Sequence, residues 1–262
     1  MFPAEIDVPP PTYLDQLGTI FTRFDTQDSG NIAYGVQTAA ARYFVKTAGD
    51  PAAPNPFLDF DARVDLLRTA IELARSVDHP ALPTLHAVIE SPAGPLLVYD
   101  WRDGDLLHDP GVRERFQALP ADEIRSALDT LYDLHAALDA ADWVEGDFYD
   151  GSMLYDFELR RLTVIDLDSY HRGPHRNTMG RMFGSTRFMA PEELTLGAPV
   201  DTRTNAYVMA RTAQVLLPNP PAPLNAVLVE ATTTRFPNYR AFYDAWQTAS
   251  STIPNTLSSQ SV

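Results

Sequence analysis

The sequence predicts an α+β fold, with strands gathered in the first third of the chain and helices dominating the rest. Three observations point there. Residues 18–46 are rich in β-branched and aromatic side chains around a polar turn, as in "GTIFTRF", "DTQDSG" and "NIAYGV". Residues 59–77, "DFDARVDLLRTAIELARSV", place Val64, Leu67, Ile71, Leu73 and Ala74 at helical spacing. From about residue 110 onward, helical patterning prevails. The joint falls near "WRDG", 101–104. It divides the chain into region 1–101, with five strands and one helix, and a mostly helical region 102–262.

Residues 1–17 read as a proline-rich lead-in. "AARYFVK", 40–46, makes the third strand, and "DHP", 78–80, stops the first helix. "HAVIES" and "PLLVYDW" form a hairpin with "PAG" at its turn. Helices are expected over 121–140, 203–217 and 239–250. One hairpin interrupts them, "MLYDFELRRLTVIDL", turning near Glu158, Leu159 and Arg160. The tail "SSTIPNTLSSQSV" is polar and reads as loose.

The 262 residues carry a formal charge of −15. That disfavours nucleic acid as a partner, because phosphate contacts need clustered cations, and it disfavours an anionic membrane surface. No apolar run is long enough to span a bilayer. The N-terminus "MFPAEIDVPPP" is unlike a secretory signal, so a cytoplasmic location is expected. With no cysteine, disulfides and thiol catalysis are excluded. Of 20 Lys and Arg residues, Lys46 is the sole lysine. Arginine bias alone could leave one lysine; alternatively, a compact ammonium is required where a planar guanidinium would not serve.

Four stretches decide between these readings: Lys46 at the end of a strand, "WVEGDFYDGSMLY" (143–155), "LTVIDLDSY" (162–170) and "GSTRFMAPEEL" (184–194). Together, and in this order, they resemble the protein kinase superfamily across nearly the whole chain. "GSTRFMAPEE" is similar to the end of a Ser/Thr kinase activation segment. "EGDFYDGSMLY" resembles the catalytic loop in its aminoglycoside-phosphotransferase form, and "VIDLD" falls where the family has its metal-binding DFG. "TTTRFPNYRAF", 232–242, is similar to the late arginine segment. "DHPALPTL" and "LLVYDWRDGDLL" resemble the stretch after helix C and the hinge. The resemblance implies a two-lobed fold, a β-rich N-lobe and a helical C-lobe.

Carried over residue by residue, the resemblance implies that Lys46 reaches the α- and β-phosphates of ATP. Gly30 and Ile32 match the third glycine and the valine of the phosphate-covering loop, while Asp25 and Gln27 occupy its other glycine places. Ser29 and backbone N–H groups are then candidates to face the phosphates. Phe44 replaces a small residue beside the base. Tyr99 falls at the gatekeeper place, with Asp100, Trp101 and Arg102 as the hinge. Asp147 matches the catalytic base and Asp166 the main Mg2+ carboxylate. Ser152 replaces the second metal ligand, an asparagine. Asp168 is extra, and as a D-x-D pair at a strand end it could compensate for Ser152; alternatively it caps the strand. The family spacing places the partner of Lys46 at Ala70. Glu72 lies two positions on, about 200° around the helix, on either a shifted inward face or a solvated one.

Gly146 stands where many protein kinases carry an arginine that clamps a phosphorylated segment. Phosphorylation at Ser169, Thr178 or Ser185 would therefore lack its usual cation, and activity without activation-loop control is expected. The segment carries Arg172, Arg176, Arg181 and Arg187, which could attract an anionic substrate or be a solvated surface. Glu192 is expected to pair with Arg235, and Asn205 to accept hydrogen bonds from the catalytic loop. The implied activity is ATP- and Mg2+-dependent phosphoryl transfer to a hydroxyl. The acceptor is a protein Ser/Thr if "GSTRFMAPEE" decides, or a small molecule such as an antibiotic or sugar if "EGD" and Tyr149 decide. The third reading is a pseudokinase that binds partners without transfer.

Overall fold

Residues 33–36 and 96–98 are buried without a break, as in strands covered on both faces. In the computed structural model, which describes residues 2–26, 29–53 and 57–253, strands β1 (Thr19–Phe24), β2 (Ile32–Gln37), β3 (Arg42–Thr47), β4 (Leu85–Ile89) and β5 (Leu96–Asp100) form one antiparallel sheet. Its order is β1-β2-β3-β5-β4. Leu96 and Val98 of β5 point with Val36 and Val45 toward Leu14 of helix α1 (Pro10–Leu17). Leu97 and Tyr99 point the other way, toward Leu67, Ala70 and Ile71 of helix α2 (Phe60–Ser76). Lys46 pairs with Leu97, and Phe44 with Tyr99. Both therefore lie on the α2 side of the sheet.

Helix α1 occupies what the sequence analysis reads as a lead-in. Proline is tolerated in a first helical turn, where its missing N–H would have no partner anyway. Leu14 is fully buried, and residues 4–6 bridge to Glu90 beside it. Helix α2 starts where Asp59 accepts the Ala62 N–H at 2.9 Å.

These elements form one unit, made of the described residues up to Asp78 together with Leu82–Arg102. The other unit holds His79–Ala81 and the described residues from Asp103 onward. The boundary falls one residue later than expected. The short piece 79–81 joins the second unit because Ala81 accepts the Val164 N–H at 2.8 Å.

The second unit contains β6 (Asp105–Leu106), α3 (Pro110–Gln117), α4 (Ala121–Ala140), β7 (Trp143–Val144), β8 (Met153–Asp156), β9 (Arg161–Val164), β10 (His171–Arg172), β11 (His175–Arg176), β12 (Pro199–Val200), α5 (Thr202–Leu216), α6 (Ala222–Thr232) and α7 (Tyr239–Ser251). Among the described residues the chain is thus α+β, with seven helices and antiparallel sheets. Strands β6-β8-β9 form a small sheet, β7 pairs with β10, and β11 pairs with β12. The helical core closes around buried Tyr132, Tyr239, Phe242 and Trp246. Their polar ends are satisfied: Tyr132 donates to Met209 O, Tyr239 to Tyr132 O, and Trp246 Nε1 to Asp129. No helix among the described residues is long and apolar enough to cross a membrane.

Leu14→Ala tests whether α1 belongs to the first unit's core. It is expected to lower stability by about 2–5 kcal/mol in urea unfolding; a dispensable lead-in would show no change.

Candidate functional site

The loop after α4 carries Asp147, and a buried amide anchors it. Asn205 of α5 accepts the Glu145 N–H at 2.8 Å through Oδ1 and donates through Nδ2 to Trp143 O at 3.1 Å. The first bond is the acceptor role expected from the sequence; the second is one a carboxylate could not make. At Gly146, an added Cβ would lie 2.3 Å from Ser169 O. The absence of an arginine there thus has a steric cause, since no side chain fits between the two backbones.

Asp147 and Asp166 both adopt left-handed backbone conformations, with φ of 58° and 62°. Five non-glycine residues among those described do so, and two of them are the carboxylates singled out as catalytic base and metal ligand. Aspartate tolerates this region better than most residues, yet such conformations persist where surrounding structure enforces them. Gly184 sits against Asp147: an added Cβ would lie 3.1 Å from Asp147 Oδ1.

Ser152 ends a short 3-10 turn, 150–152, and accepts the Ile165 N–H at 2.9 Å. This bond ties the loop to the residue preceding Asp166. Ser152 is 1% exposed, and this backbone link fixes its place. Strand β9 ends at Val164, and the left-handed turn at Asp166 redirects the chain. Asp166 and Asp168 thus lie just past the last residue of the strand, with Asp166 exposed, Leu167 buried and Asp168 half-buried. Among the described residues, no group of three or more His, Asp or Glu side chains is placed to hold a metal by itself.

Behind Asp147 lies a buried acidic patch that sequence reasoning missed. Glu193 is 2% exposed and accepts the Ala190 N–H at 2.7 Å. Burial, reinforced by Glu192 and Asp147 against the pull of Ala190 and Arg235, raises its carboxyl to about 7. Glu145 is 1% exposed, and neither of its oxygens has a hydrogen-bond partner at normal geometry. Burial, then Glu193, Asp147 and Glu192, push it well above the usual carboxylate range. Nearby, His135 is fully buried; its Nδ1–H donates to Leu131 O, and Nε2 accepts from the Tyr170 hydroxyl at 2.8 Å. Burial holds this imidazole down to about 4.

Glu192 receives a two-pronged contact from Arg235, at 2.6 and 3.1 Å, and a further bond from Thr204. Burial pushes its carboxyl up, but the guanidinium and neighbouring donors outweigh that and leave it below its ordinary value. The pair is as expected from the sequence, though partly rather than wholly buried.

In the first unit, Lys46 is 5% exposed on β3. Gly30 is left-handed, with φ of 80°, and its carbonyl accepts from Arg63. Arg63 is a buried arginine of α2 that the sequence reading passed over; it also binds the carbonyls of Asp50 and Asp59. Ser29 Oγ accepts the Asn31 N–H, so this hydroxyl and that N–H are turned onto each other just before Ile32. Asp25 pairs with Arg23 at 3.0 Å, and Gln27 lies outside the described residues. In the expected hinge, Asp100 pairs with Arg102, and the Trp101 N–H donates to Arg42 O. Tyr99 packs with the α2-side core, and Phe44 lies 6.0 Å from Phe24. Ala70 is buried against the sheet while Glu72 is exposed, so α2 does not turn Glu72 inward.

Compared with known proteins, the sequence matches no family model and no curated protein.

The packing at Gly146 and the burial of Glu193 and His135 have measurable consequences. Gly146→Ala is expected to cost about 1–3 kcal/mol in urea unfolding, because backbone rather than side chain must move. The stability that Glu193 contributes is complete below its unfolded value of 4.5 and is lost as pH rises through about 7. For His135 the sign reverses: its contribution is complete above 6.5 and lost as pH falls through about 4. Because the two windows overlap with opposite sign, Glu193→Gln, which keeps an acceptor for Ala190, should make Tm rise more steeply with pH between about 4.5 and 7 than it does in the wild type.

Proposed function

We propose that this protein is an ATP- and Mg2+-dependent phosphotransferase with a two-lobed, protein kinase-like fold, passing the γ-phosphoryl group to a hydroxyl. The observation that carries this reading is the pairing of two left-handed aspartates, Asp147 and Asp166, on loops joined by the Ser152–Ile165 bond. Backbone strain at two carboxylates matched to the family's chemical positions supports a site more readily than a structural accident.

Asp147 orients the acceptor hydroxyl and takes its proton. Gly184 leaves room beside that carboxylate because it has no side chain to cover it. Lys46 offers a point charge to the α- and β-phosphates. Asp166, with Asp168 as a second oxygen donor, would hold Mg2+, which is commonly bound by one or two carboxylates plus water and phosphate oxygens. The donor chemistry fits that ion even without a closed protein cage. When bound, Mg2+ would neutralise charge on the transferring phosphates.

A protein hydroxyl is the favoured acceptor, on the strength of the 184–194 segment set beside Asp147. A small-molecule acceptor is the second reading, favoured by Tyr149. This half-buried ring meets His108 edge to face at 5.7 Å, where protein kinases carry a lysine.

Thermal shift with ATP and Mg2+ tests binding: the wild type is expected to gain Tm, and Lys46→Ala and Asp166→Asn to lose that gain. Asp147→Asn should keep the gain while transfer of labelled γ-phosphate falls by about 10²–10⁴-fold. Stabilisation without transfer to protein, to small hydroxyl compounds or to the protein itself would instead mark a binding module.

A further inference from the structure

Asp150 has no role in the sequence reading, yet it is a fully buried carboxylate with three cationic or ionisable partners. Arg113 of α3 donates to its Oδ2 at 3.0 Å, and Arg187 donates to the same oxygen at 2.8 Å. His108 Nδ1 lies 3.2 Å from Oδ1. A carboxylate with no access to water must be compensated, and Arg113 with His108 already covers both oxygens. Arg187 is therefore surplus to the needs of Asp150 itself.

What Arg187 adds is a tie. It lies in the stretch that begins with Gly184 against Asp147. Its own carbonyl accepts two bonds from Arg211 of α5, at 3.2 and 3.1 Å. Within the same stretch, Ser185 O accepts the N–H groups of Phe188 and Met189. Arg187 is thus gripped at its side chain by the loop that carries Asp147, and at its backbone by a core helix.

We propose that Asp150 is a positioning residue whose buried carboxylate holds Arg187 and seats residues 184–190 against Asp147 with no covalent modification of that segment. The polarity is the reverse of a phosphate clamp: the anion belongs to the loop and the cation to the segment. Segment order is then written into the unmodified chain, in keeping with the lack of space for a side chain at Gly146. The significance for catalysis rests on the reading of Asp147 as the base; the clip itself does not.

Hydrogen exchange at the Phe188 and Met189 amides judges the clip without reference to activity. The wild-type protein, its intact mass showing no phosphate, should already protect both. Arg187→Gln, a change at a half-exposed side chain that the fold tolerates, should speed their exchange by about tenfold, as should Asp150→Asn, with α4 and α7 amides unchanged. Arg187→Lys should restore most of the protection. If those amides exchange equally fast in Arg187→Gln and wild type, or are unprotected in the unmodified wild type, the proposal is overturned. In turnover, Arg187→Gln should lower kcat with the ATP KM unchanged. Altered exchange in a protein with no turnover would sustain the clip while removing the phosphotransferase reading.

Discussion

One buried amide governs where the loop of Asp147 can lie. Asn205 is sealed inside the second unit, and its two polar atoms take one backbone group on each side of Val144. Leaving either unmatched would cost far more than such a bond ordinarily contributes, so Trp143 and Glu145 are fixed relative to α5. Everything downstream inherits that placement: the close approach of Gly146 to Ser169, the left-handed turn at Asp147, and the short turn that delivers Ser152 to the end of β9.

The environment so created is crowded with acid. Asp147 stands near Glu145, Glu192 and Glu193, and Arg235 counters Glu192 most directly. Keeping Glu145 and Glu193 protonated is the least costly way to bury them. The same economy explains His135, whose neutral ring passes a hydrogen bond from Tyr170 into the α4 backbone rather than carrying charge.

Much of the fold was legible because its signals are local. The bounds of α4, 121–140, follow from apolar spacing and agree with the structure, and the early strands and both hairpins follow from alternation and turn residues. Helix α1 was not legible, because three successive prolines mask a helix whose identity depends on burying Leu14 against a distant strand; proline in a first turn was the available signal. Asp147 and Asp166 stood out by motif, but nothing in the sequence told that both would be left-handed. The strand that sequence patterning runs on to Asp168 stops at Val164, because the left-handed residue Asp166 does not continue it. Asp150 and Arg113, or Asp150 and Arg187, lie 37 positions apart, and no local pattern encodes such a contact. Arg63 was hidden for a related reason: a charged residue in an amphipathic helix reads as solvated until its carbonyl partners are seen.

The sole lysine makes the central claim open to a direct chemical test. An acyl-phosphate derivative of ATP transfers its acyl group to an amine held beside the phosphates, and Lys46 is the one lysine side chain available to receive it. Peptide mass spectrometry after treatment should find Lys46 acylated, with the modification suppressed by excess ATP and Mg2+. An unmodified Lys46, or labelling indifferent to competing ATP, would contradict a nucleotide phosphate site at this residue and with it the phosphotransferase account.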